Sequence, residues 1–150
     1  MAVTASGLFV STWIDILDTT QLAVDLDLET HKIALFSDTV TPNFSTDTAY
    51  GVAPYNANEV SGTGWAAGGV ALTTTTVTES PTGTLMWDAA DVSQGTTTLT
   101  NAMCGLCYAD ALAGNNAIVL VDFVTAVSTV AGTLTITWAA GGIFNIDLTP

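Results

Sequence analysis

Cys104 and Cys107 form a C-x-x-C pair, a spacing that serves thiol redox chemistry or zinc. Either use needs both sulfurs on one side of the chain. The surrounding "TLTNAMCGLCYA" (98–109) reads as a strand, and residues three apart on a strand point to opposite faces. No second cysteine pair exists and His31 is the only histidine, so zinc would lack ligands. Two packed, inert thiols are expected.

The stretch "NEVSGTGWAAGGVAL" (58–72) crowds Gly62, Gly64, Gly68 and Gly69 around Trp65. Such loops can cradle phosphate with backbone N–H groups. A Walker loop, however, needs Lys-Ser/Thr after its glycines, and here Val70-Ala71 follow. The dinucleotide fingerprint needs a third glycine three positions past the second, and Gly68 comes one residue too late. A turn leading into a strand, with the glycines supplying positive φ or close backbone approach, is the expected reading.

Carboxylates are the remaining chemical resource. Asp25, Asp27 and Glu29 resemble the start of a calcium loop, but Thr30 and Phe36 stand where an EF-hand needs Gly and Glu. A looser cation site on these acids stays open beside the plainer reading, a solvated acidic edge with Leu26 and Leu28 turned inward. Asp88 and Asp91 read as turn residues more readily than as a catalytic pair. His31 would have to be the base of any Ser or Cys nucleophile, and its loop-like position beside Lys32 suggests a surface residue. An enzyme is not expected, and no cofactor is implied.

Charge narrows the partners. Asp and Glu number 14 against one Lys or Arg, for a net −13. Nucleic-acid binding needs cations to displace counterions from phosphate, and attraction to anionic membranes needs the same; neither is expected. Charged residues make up 10% of the chain and mean hydropathy is +0.49, whereas soluble domains carry roughly 25% charged residues. Apolar surface should therefore stay uncovered in the monomer and mark association sites. The charge-free run 123–146 could span a bilayer by length, but Leu134, Ile136 and Trp138 alternate with threonines, which is strand periodicity.

The elements that would hold these groups are mostly strands. "STWIDILDTTQL" predicts one helix over roughly 12–22, with Ser11 or Thr12 as N-cap, Asp15 in the first turn, and Trp13, Ile16 and Leu17 on one face. Strands are expected at 31–37, 70–80, 84–89, 98–109 and 117–124. A final hairpin should join 134–138 to 144–148. Residues 38–57, with Pro42 and Pro54, form a long loop. The sum is one domain over 1–150, mainly β: an antiparallel β-sandwich or flattened barrel of about seven strands with one short N-terminal helix.

Four blocks resemble a family of small virion proteins of tailed bacteriophages, described as head decoration, minor capsid or minor tail proteins. They are "DLDLETHKIALFSD" (25–38), "NEVSGTGWAAGGVAL" (58–72), "LMWDAADVS" (85–93), and "AIVLVDF" with "LTITWAAGGIFNI" (117–123 and 134–146). The second is the most specific. The resemblance implies a structural protein without catalytic residues, assembled in the host cytoplasm onto the outside of the phage head. Its partners would be the major capsid protein and copies of itself, as a trimer. The scarcity of Lys and the Cys104/Cys107 pair depart from the family pattern.

Contacts are expected from an N-terminal arm (about 1–10) through Val3, Leu8 and Phe9. The long loop would add Phe44, Tyr50 and Tyr55, joined by Trp65. Removing residues 1–8 should then weaken docking and leave the sandwich folded. A tail or tail-tip role is the alternative, with Tyr50, Tyr55 and Trp65 stacking on host sugars. A small hydrolase using Asp88 and Asp91 is a third, weaker reading.

Overall fold

The run Ile33-Ala34-Leu35-Phe36 is apolar without alternation, the signature of a strand covered on both faces. The structure, a computed structural model, describes residues 3–18, 22–28 and 30–149. In it β2 (His31–Phe36) is buried at every position but Lys32. It lies inside the larger of two antiparallel sheets. There the order is β1 (Gly7–Leu8), β8 (Ala117–Ile136), β7 (Val92–Ala109), β2, β3 (Glu59–Val60), with β4 (Val70–Ala71) also paired to β2. A smaller sheet runs β5 (Thr76–Glu79), β6 (Thr84–Asp88), β9 (Phe144–Asp147). One helix, α1 (Val10–Leu17), follows β1. The expected mainly-β sandwich with one short N-terminal helix is what the chain forms, with nine strands among the described residues.

Two apolar layers explain the burial of β2. Between the sheets, Ile33, Leu35, Cys107, Val119, Leu134 and Ile136 pack with Trp87 and Trp65. On the other face of the large sheet, Ala34, Phe36, Cys104, Leu106 and Leu120 pack with Val3, Phe9, Val40 and Tyr55. The segment before α1 and the loop 38–57 thus form the second cover of the sheet. This corrects the picture of an arm and a loop that order only against a neighbour. Phe9 is fully buried, with its ring 5.4 Å from that of Phe44 and 5.8 Å from that of Tyr55.

The final hairpin does not form as expected. Leu134 and Ile136 do point into the core, but they pair with Gln94 and Val92 at the far end of β7. β9 pairs instead with β6. Period-two alternation identifies the buried face of a strand but not its partner. The strand expected at 70–80 is likewise split. β4 belongs to the large sheet and β5 to the small one, with Leu72 buried at the crossing.

The helix starts earlier than predicted, ends at Leu17 and is differently capped; residues 19–21 of the expected span lie outside the described residues. Phe9 is the N-cap and offers no side-chain bond. The hydroxyls of Ser11 and Thr12 instead donate to the carbonyls of Asp47 and Ala117, tying α1 to the loop and to β8. Asp15 falls outside the first turn. Leu26 packs on the core as expected, whereas Leu28 is 83% exposed.

Candidate functional site

The glycine loop is closed by the chain's own anion. Glu59 on β3 sits opposite Phe36 of β2, which brings its carboxylate beside the loop. Its Oε1 accepts from Gly68 N–H at 2.6 Å and its Oε2 from the Tyr50 hydroxyl at 2.9 Å. Tyr108, opposite Lys32 in the ladder, donates its hydroxyl to the Gly68 carbonyl at 2.8 Å. The two phenol rings stack at 4.5 Å. A carboxylate therefore occupies the place that a phosphate would take. Nearby, Lys32 pairs with Asp110 at 2.9 Å, so the sole basic side chain is engaged within the chain.

The loop's other end is a core anchor. Gly62 and Trp65 exchange backbone bonds across a tight turn, and Trp65 is buried in the layer between the sheets. A Cβ at Gly62 would fall on the Thr98 carbonyl, so close approach to β7 requires glycine there.

All three tyrosines are held as phenols. Burial, with Glu59 adjacent, pushes Tyr50 up to about 12. Burial raises Tyr108, with Asp110 contributing, and Tyr55, with Asp47 contributing. A folded-state value above the unfolded one means stability that is complete below about pH 10 and lost as pH climbs through the folded values. We predict that ultraviolet difference titration finds little phenolate in the native protein below about pH 11, and that thermal stability starts to fall from about pH 10. Phenolate appearing at the ordinary value with the fold intact would contradict this.

Cys104 and Cys107 lie in opposite apolar layers, as the strand spacing predicts. Burial pushes the Cys104 thiol up to about 12 and raises Cys107 as well. Thiolate is the reactive form, so neither sulfur should react with a thiol reagent in the native state and both should react on unfolding. Rapid labelling of the native protein would refute the packing described.

His31 is not on the surface. It is fully buried, edge-on to Trp87 at 5.4 Å, with Nε2 2.9 Å from the Asp25 carbonyl. Asp25 Oδ1 accepts from the N–H groups of Asp27 and Leu28. The neighbouring Asp25 carboxyl holds Asp27 above the usual carboxylate value. Glu29, the third acid of the suggested cation site, lies outside the described residues. Among the described residues no three His, Cys, Asp or Glu side chains are grouped to hold a metal. Asp91 accepts from Trp138 N–H at 3.0 Å and thereby fixes the turn that leads to β9.

Of the contact residues expected from the sequence, Val3, Phe9, Tyr55 and Trp65 are buried within the chain and are not surface groups. Leu8, Phe44 and Tyr50 are half-buried. Sugar stacking thus keeps one of its three aromatics.

The exposed apolar surface lies elsewhere. On α1, Val10 is 46% exposed, Ile14 57% and Leu17 79%. With Leu8 and Trp13 they line a groove of about 490 Å³ whose rim carries Asp18. Trp13, on the same side of the helix, packs edge-on against Phe144 at 5.7 Å, while the buried side of α1 meets β8 at Thr12. Sequence periodicity registered only the Trp13, Ile16, Leu17 side; the second stripe, Val10, Ile14, Leu17, follows the same i, i+4, i+7 logic. A second cleft of about 380 Å³ lies along β8, walled by Val121, Phe123, Leu134, Trp138 and Ile143 with Asp122 among them. No helix among the described residues is long and apolar enough to cross a membrane.

The chain matches no protein-family model, no curated protein and no solved structure.

Proposed function

We propose that this protein is a non-enzymatic structural subunit of a tailed-phage virion, a decoration protein that docks on the outside of the assembled head and reinforces the junctions between capsomers. The observation that carries this reading is an exposed apolar helix face on a chain with 14 acidic and one basic side chain. An apolar face left bare on a folded domain is a docking surface awaiting its partner. The net −13 favours the outer side of a DNA-filled shell, because an inward position would be repelled by the packaged phosphates. The four sequence blocks that resemble virion proteins point the same way.

The polar groups support a structural role. Glu59 is spent on the glycine loop, Lys32 on Asp110, and both thiols and His31 are buried. Among the described residues, acid, base and nucleophile are not brought to one open cleft.

The test is reconstitution. Heads stripped of the chain should bind the purified protein and break at a higher temperature or lower ionic strength than bare heads. Heads that neither bind it nor gain resistance, beside tails that do bind it, would move the protein to the tail.

A further inference from the structure

We infer that β5 pairs with β5 of a second copy, antiparallel across a two-fold axis at Thr78, so that two small sheets become one continuous sheet. The contact needs no capsid and stands apart from the docking role proposed above. β5 ends the small sheet and is exposed at all four of its positions. Just beyond it, Ser80 N–H donates to the Thr84 carbonyl. Bonding to a neighbour alternates along a strand, so the backbone groups of Thr76 and Thr78 face β6 and those of Val77 and Glu79 face outward. Among the described residues these outward groups meet no partner. A bare strand edge is a template for another strand.

The edge is complementary to itself. With Thr78 opposite Thr78 of the second copy, Val77 exchanges both its backbone bonds with Glu79 across the axis, and Glu79 does the same with Val77. The outward groups of both copies are satisfied by one contact. The side chains agree with this register. Glu79 is the one charge on the strand, and its Oε1 is drawn back to Gly83 N–H at 2.6 Å. It comes opposite Val77, so carboxylate does not face carboxylate, and threonine opposite threonine is a favourable pair. Val77, Leu85 and Leu148 line a cleft of about 360 Å³ beside the edge. A two-fold axis through the sheet keeps the clefts of both copies on one face, where their apolar walls join. Positions 76–79 hold no Lys or Pro, and the pairing with β6 runs without a bulge; these are the devices that commonly guard an edge.

The test is disulfide trapping in the purified full chain. Facing residues that exchange no backbone bonds lie about 4.5 Å apart at Cα, within reach of a disulfide. Thr78→Cys should therefore cross-link to itself under mild oxidation, roughly tenfold faster than Thr76→Cys, which falls opposite Ser80. Both native thiols are buried and do not compete. The contact is small, so the parent should pair with a dissociation constant of about 100 μM, read by sedimentation equilibrium. Because each copy carries a net −13, added salt should tighten the pair. Thr78→Asp changes an exposed side chain and should melt like the parent, yet pair roughly tenfold more weakly, because it sets carboxylate against carboxylate.

Thr78→Cys that cross-links no faster than Thr76→Cys would overturn the register. Parent-like pairing by the folded Thr78→Asp variant would overturn the edge contact. A two-fold contact closes at two copies, so a parent that assembles as a trimer, stays monomeric at about 1 mM, or dissociates with added salt would overturn the pair itself.

Discussion

Phe9→Ala is expected to lower the stability of the fold by about 3–5 kcal/mol. Phe9 is fully buried between Phe44 and Tyr55, and its backbone N–H donates to the Ile118 carbonyl of β8. Shortening it to alanine leaves a ring-sized void under the large sheet. The loop 38–57 cannot collapse easily into that void, because Val10 N–H is bonded to the Phe44 carbonyl and Ser11 to the Asp47 carbonyl. For a chain of this length the melting temperature should fall by roughly 10 °C, as read by calorimetry. Deleting residues 1–8 should act in the same direction, since it removes Val3 from the core and β1 from the edge of β8. A truncated protein that melts like the parent would mean that the segment is an arm after all.

Gly69→Ala should be as severe. Gly69 has a φ of +75°, where an L side chain costs about 1–2 kcal/mol. The added Cβ would also fall on the carbonyl of Ile33, with Ala34 Cα close behind. Those are backbone atoms of the buried strand β2, paired on one side with β7 and on the other with β3 and β4. They cannot move aside without opening the ladder. A total loss above about 3 kcal/mol is expected, read from chemical denaturation. By contrast Gly51→Ala, at a φ of +81° but with open space around it, should lose only the conformational part, about 1–2 kcal/mol. Equal losses at the two positions would show that contact with β2 does not constrain the loop.

Much of this architecture is written locally. The uninterrupted Ile33–Phe36 run, the opposed cysteines of β7 and the alternation at Leu134 and Ile136 each follow from the geometry of a single strand. What a strand pairs with is not local. Leu134 and Ile136 joined the distant end of β7, and the segment 70–80 changed sheets at Leu72. Nor could the sequence tell a covering segment from a free one. Val3, Phe9 and Tyr55 look like contact residues because they sit in stretches without regular structure, and they are buried because the large sheet has two apolar faces. His31 reads as a surface residue for the same reason, although Trp87 covers it from a remote part of the chain and the Asp25 carbonyl meets it from six residues away. The exposed stripe of α1 was legible in part. Its residues were visible as helix formers, but which stripe stays bare depends on how Thr12 seats the helix on β8.

The most direct test of the account is the copy number of this chain in purified virions, counted by quantitative mass spectrometry on separated heads and tails. The account predicts that it is abundant in heads, on the scale of the major capsid protein, and accessible to protease or antibody on intact particles. Confinement to tails, or absence from the virion altogether, would contradict it.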